Sequence, residues 1–176
     1  MADVVSIWNL ALSALGSRAL ISSPLEKGRE ADLCRLHYPI VRDLILKAAP
    51  WPCASAYARL AVVAERDPAV AWVTGPVPPS WIFAYGQPSN MLAPRYSITY
   101  KKFGVGQYDD TPLIYSNEPD MILHYTQLVE NTALFDKGLE NAIVAALAAR
   151  LCLPITAKEA RSQRLKEDAV EAVLLA

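Results

Sequence analysis

Apolar positions recur with helical spacing at both ends of the chain and with a spacing of two through its middle. In DVVSIWNLALSALG, Val4, Trp8, Ala11, Leu12 and Leu15 share one helical stripe, with Asp3 placed to cap it and Gly16 to stop it in a left-handed turn. A second helix is expected in SPLEKGREADLCRLHYPIVRDLILKAAPW. Ser23, Pro24 and Glu26 have the order of a capping box with proline at the first helical position, and Gly28 sits where it delays the regular helix by a turn. Leu33, Leu36, Ile40 and Leu44 form the inner stripe of this helix, flanked by Val41 and Ile45. Pro39 removes a backbone donor and crowds the preceding turn, which predicts a kink over residues 36–38; Pro50 and Pro52 end the helix.

Beyond Trp51 the pattern changes, and most of the prolines and glycines lie between Pro50 and Pro119. Tyr96, Ile98 and Tyr100 alternate with Ser97, Thr99 and Lys101, as a strand with one buried and one wet face requires. Leu113 to Tyr115 and Met121 to Tyr125 predict further short strands, separated by the turn-forming SNEPD. The run ASAYARLAVVAE fits helix by its alanines and strand by Leu60, Val62 and Val63. In PPSWIFAYGQPSNM, Trp81, Phe83 and Tyr85 occupy alternate positions, the buried face of a strand whose other face is free to meet a neighbouring subunit; a ligand pocket lined by the same rings is the competing reading.

Helical spacing returns in NTALFDKGLENAIVAALAARLCL. Leu139, Ile143, Leu147 and Leu151 stand four apart, and Ala142, Ala145, Ala146 and Ala149 fill the flanks, so this helix can be approached closely by its neighbours. Pro154 is expected to end it, and Thr156 with Glu159 to open a last helix, polar early and apolar late. The resulting expectation is an α+β chain, mainly α: a four-helix bundle core from residues 1–50 and 127–176, with a β-rich insertion, residues 51–126, between the second and third main helices.

Composition sharpens this picture. The chain has 176 residues, enough for one domain with an insertion, and 53% of them are hydrophobic against 20% charged, more apolar than an ordinary soluble domain. The excess calls for a partner to cover it. A net charge of −1 supplies no field for a nucleic-acid backbone. No run reaches the roughly 18 uninterrupted apolar residues of a membrane span, and no basic start marks a secretory signal, so the expectation is a soluble protein that stays where it is made. Three scattered cysteines, Cys34, Cys53 and Cys152, argue for buried thiols in a reducing compartment.

The sequence holds no arrangement that predicts a catalytic residue, a cofactor site or a metal site. Cys34 and His37 could share a helix face, but no second pair completes a four-ligand zinc site. A nucleophilic Cys53 or Cys152 would need a base, and only His37 and His124 exist to serve. Gly104 and Gly106 lack the glycine pattern and helix start of a phosphate loop, and belong to a hairpin or mobile loop instead. Asp109, Asp110, Glu118 and Asp120 depart from the spacing of a calcium loop.

One resemblance covers nearly the whole chain, from about Leu10 to the C-terminus. LILKAAPW followed by ASAYARLA, then AYGQPSNML, then YTQLVENTALFDKGLENAIVAALAARL closed by LPIT, resembles in its order the tail tubular protein A family. These are head-to-tail adaptors of short-tailed bacteriophages. The family's acidic residue near Asn90 is missing from this chain. The resemblance implies a structural, non-enzymatic virion protein of the neck and tail, assembled in the host cytoplasm. It would form a ring, typically of twelve copies, between the portal protein and the tail nozzle protein, with DNA as passing cargo and no membrane contact. It also tips ASAYARLAVVAE towards strand. On this reading the interface residues are Trp81, Phe83, Tyr85, Tyr96 and Tyr100 in the insertion and Leu165, Val170, Val173 and Leu174 near the C-terminus. The alternative is a small helical binding or regulatory protein that grips a partner through AVEAVLLA, where Val170, Val173 and Leu174 have groove-binding spacing.

Overall fold

The structure, a computed structural model, describes residues 3–67, 75–156 and 159–174, the last segment as backbone alone up to residue 162. The chain divides into two compact units, Met1–Ala54 with Leu128–Ala176, and Ser55–Gln127.

The first unit is helical, with α1 (Val4–Ala14), α2 (Arg29–Ala48), α3 (Lys137–Thr156) and α4 (Glu159–Leu174). Asp3 occupies the cap position of α1 without a side-chain bond, and Gly16, at φ 72°, closes it. Gly16 N–H donates to the Ser13 carbonyl at 2.8 Å and Ser17 N–H to that of Leu12 at 3.1 Å, satisfying the last turn in the manner of a Schellman motif. α2 starts later than its capping-box residues suggest. The Glu26 carboxylate accepts from Ser22 N–H and Oγ at 2.7 and 2.8 Å, so Ser22 to Glu26 form a separate turn and Gly28 precedes the helix. α2 runs through Pro39, and α3 runs through Pro154 to Thr156. Thr156 Oγ1 donates back to the Cys152 carbonyl at 2.8 Å, and so belongs to the end of α3; residues 157 and 158, which follow it, lie outside the described residues.

The expected four-helix bundle core is absent. Among the described residues the chain is an α+β fold of four helices and seven strands in two antiparallel sheets, 43% helix and 24% strand, with helices at both ends. The reason lies in α3. Leu139, Ile143, Leu147 and Leu151 are fully buried, and so are Ala142, Ala148 and Cys152 on its other sides. A helix apolar all round can be a hub, and α1, α2 and α4 each pack on α3 rather than each turning one stripe towards a shared centre. This burial also accounts for its being long and apolar enough to cross a membrane. α2 turns Ala31, Cys34, Tyr38, Val41, Ile45 and Leu46 inward; of its expected inner stripe, Leu33 is half-buried and Leu36, Ile40 and Leu44 face out, while the flanking Val41 and Ile45 are the ones covered.

The second unit stacks β1 (Ser55–Arg59), β7 (Ile122–Gln127) and β4 (Met91–Ser97), in that order, as one sheet. The other sheet runs β2 (Val62–Glu65), β3 (Phe83–Gly86), β6 (Thr111–Ser116), β5 (Phe103–Tyr108). ASAYARLAVVAE is therefore two strands, β1 and β2. Leu60, Tyr85, Ile114, Met121, Leu123 and Tyr125 form one core, with Phe83 and Phe103 packed against it. Alternation sends Ala84, Leu113 and Tyr115 to the other face of the four-stranded sheet, where Val77 and Trp81 cover them.

Gly104 and Gly106 lie within β5, on that second face. A Cβ at Gly106 would stand 2.8 Å from the Tyr115 ring, and one at Gly104 would stand 3.2 Å from the Trp81 ring. The glycines let two aromatic rings lie across the strand. Gly106→Val is expected to destabilise this unit by about 1–3 kcal/mol through overpacking, read as a lower urea midpoint, with Gly86→Ala as a milder control.

Candidate interface

The expected strand over Tyr96, Ile98 and Tyr100 stops at Ser97. Ser97 Oγ donates to Glu118 Oε2 at 2.7 Å, the Thr99 hydroxyl donates to Glu118 Oε1, and Lys101 Nζ stands 3.8 Å from that carboxylate. These bonds turn the chain, Tyr100 N–H meets the Ser97 carbonyl at 2.8 Å, and Tyr100 takes φ 57°. Burial works to raise the Glu118 pKa, but the Thr99 and Ser97 hydroxyls and the Lys101 ammonium outweigh it and leave the carboxyl below its ordinary value. The fold thus favours the ionised form. Its stabilisation is present above the ordinary glutamate pKa of about 4.3 and is lost as pH falls through the lower folded value. Glu118→Gln is expected to flatten the acid limb of a plot of urea midpoint against pH.

The turn creates a cleft of about 410 Å³ lined by Trp81, Arg95, Tyr96, Ser97, Tyr100, Lys101, Lys102 and Phe103. A second hollow, of about 420 Å³, shares Trp81, Lys101 and Lys102 and reaches Asn117 and Glu118. Tyr96 and Tyr100 stack with centroids 5.2 Å apart and planes at 9°, and the row continues through His124 to Tyr57. Trp81 does not share a face with Phe83 and Tyr85. Its N–H is turned back to the Pro78 carbonyl at 2.9 Å before β3 begins, which breaks the alternation. Trp81 and Phe83 are half-buried, Tyr96 also, and Tyr100 is exposed. Tyr85 has no accessible surface, and its hydroxyl donates to the Glu118 carbonyl, so it serves the core.

In the helical unit a groove of about 380 Å³ runs between α2 and α4, lined by Leu44, Ile45, Ala48, Ala169, Val170, Val173 and Leu174, with no polar atom in its wall. Leu36, Ile40 and Leu44 extend it along α2 with 61%, 45% and 49% of their surface exposed. On α4, Val170 is 61% and Leu174 79% exposed, while Val173 and Leu165 are half-buried. Spacing alone points the α2 stripe at the core, yet the covered face is the opposite one, whose polar and small residues, Arg42 and Ala31 among them, carry no local sign of burial.

The remaining chemical candidates are separated. Cys34 is fully buried, and burial with the Glu30 charge pushes its thiol up to about 11. Burial, with Asp136, also raises the Cys53 thiol, the direction opposite to thiolate activation. Cys152 Sγ is 3.3 Å from Thr156 Oγ1. His124 Nε2 lies 2.6 Å from Ser55 Oγ, but its buried Nδ1 has no hydrogen-bond partner among the described residues, so the pair lacks the orienting third group of a serine nucleophile. Burial, then Arg95, holds this imidazole below the usual histidine value. Asp120 pairs with Arg59 at 2.6 Å, whereas Asp109 and Asp110 form the β5–β6 turn, apart from Glu118. Among the described residues no three histidine, cysteine or carboxylate side chains gather as a metal site.

Compared with protein-family models and with curated proteins, the chain matches none.

Proposed function

We propose that this chain is a ring-forming structural subunit, a head-to-tail adaptor of a short-tailed bacteriophage. In this role it joins the portal protein to the tail nozzle protein in the virion neck, and DNA passes through without being held. It performs no catalysis. The ordered motifs that resemble the adaptor family supply the particulars. The observation that carries the reading is the continuous apolar surface of Leu36, Ile40 and Leu44 beside the α2–α4 groove, on a chain otherwise able to bury a core. Exposed apolar area of this kind marks a protein contact. In a ring each subunit buries two unlike faces against its neighbours, so the surface would be sheltered without a membrane.

Electron microscopy of the chain mixed with its portal protein tests the proposal. Rings seated on the portal are expected; a monomer that ignores the portal speaks against it, whereas a monomer without the portal does not, because a template can be required.

A second reading, a helical regulator, draws on the exposure of Val170 and Leu174 at the end of α4. Deleting residues 169–176, with Val170→Asp/Leu174→Asp as a folded companion, separates the two. Loss of portal docking is the adaptor's result; loss of some other single partner with assembly intact is the regulator's.

A further inference from the structure

The β5–β6 hairpin ends in Asp109 and Asp110, both in the left-handed region at φ 46° and 61°. Side chains rarely accept that conformation, and two in succession define a tight type I′ turn that projects both carboxylates from the tip. Neither aspartate has an ion-pair partner among the described residues, and Tyr108 beside them is exposed. The cleft framed by Trp81, Tyr96, Tyr100 and Phe103 carries the opposite charge, with Lys101 and Lys102 on its rim. Lys102 likewise has no ion-pair partner among the described residues, and the nearest carboxylate to Lys101, that of Glu118, already accepts from Ser97 and Thr99.

Tip and cleft lie at opposite ends of one strand. Phe103 pairs with Ser116 at the start of β5 and Tyr108 with Thr111 at its end, five steps away. At about 3.4 Å per step they are about 17 Å apart, so an acidic tip cannot reach the basic cleft of its own chain.

We infer that the tip of this hairpin docks in the aromatic, lysine-rimmed cleft of a second copy. Tyr108 enters among the rings, and Asp109 and Asp110 meet Lys101 and Lys102. The contact is heterologous, since tip and cleft are different surfaces, and therefore propagates from copy to copy until it closes. It rests on the ring reading for its biological use and names the β-unit half of the subunit contact. Charge complementarity of this kind fixes partner and register more than it adds affinity.

Zero-length carbodiimide cross-linking of the full chain tests this, using equal parts ¹⁴N- and ¹⁵N-labelled protein, concentrated alone and bound to portal. The expected product is a mixed-isotope peptide joining Lys101 or Lys102 to Asp109 or Asp110. Charge reversal supplies the second arm. Lys101→Glu/Lys102→Glu and Asp109→Lys/Asp110→Lys should each reduce assembly at least about tenfold, and the fourfold variant should restore most of it. Absence of the cross-link in both states, reversals without effect, or a fourfold variant no better than either pair overturns the inference. So do cross-links from these lysines to portal carboxylates, or lysines shielded by single-stranded DNA instead. Rings on the portal without the cross-link sink this contact and leave the adaptor reading standing; cross-linked copies that ignore the portal do the reverse.

Discussion

Leu147→Ala should lower the stability of the helical unit by about 3 kcal/mol, because Leu147 is fully buried at the middle of α3 and truncation leaves a cavity in the helix that α1, α2 and α4 all touch. For a chain of this size that corresponds to a fall of about 6–12 °C in Tm. Leu36→Ala on α2 is the informative partner, since Leu36 is exposed and should change stability by less than about 0.5 kcal/mol. A helix bundle with the α2 leucine stripe inside would give the two variants similar costs. Calorimetry or urea melts of the free chain separate these outcomes.

The second large effect concerns assembly. Leu44→Asp/Val170→Asp introduces two carboxylates into the α2–α4 groove at exposed positions, so the free chain should fold with little loss. If a neighbour or the portal covers the groove, each change forfeits an apolar contact of roughly 1.5–3 kcal/mol and adds a desolvated charge. Two such losses weaken portal-bound assembly by about a thousandfold. Sedimentation of portal mixtures would show this as free chain where the unmodified protein co-sediments. Unimpaired co-sedimentation would mean that the groove stays open in the assembly.

How far the sequence foretold this differs between the two units. Leu139, Ile143, Leu147 and Leu151 announce α3 because four-residue spacing and burial coincide there, and Gly16 announces the end of α1 because only a left-handed residue closes that turn. The stripe on α2 misleads for a physical reason. Periodicity reports which residues share a face, not whether that face is inside, and α2 carries apolar residues on two faces, of which only one is covered. Ser97 and Thr99 fit a strand by alternation, yet their hydroxyls are claimed by Glu118, some twenty residues further on, and no local pattern encodes that capture. Trp81 misleads similarly, since the turn onto Pro78 lies just outside the strand whose spacing it appears to continue. The basic cleft was invisible because Trp81, Tyr96 and Lys102 come from separate segments. The hairpin was half legible: YKKFGVGQYDD reads as a hairpin or mobile loop, but not as one with two carboxylates at the far end of a strand rooted in the opposite charge.

The most direct test of the central claim measures whether the outward stripe of α2 becomes sheltered. Ile40→Cys in a Cys53→Ser background leaves Cys34 and Cys152, both fully buried, as the remaining native thiols. The introduced thiol should react rapidly with a maleimide in the free chain and be protected at least about tenfold once the chain is bound on the portal. Equal reactivity in the two states, with binding verified in the same sample, would contradict the account.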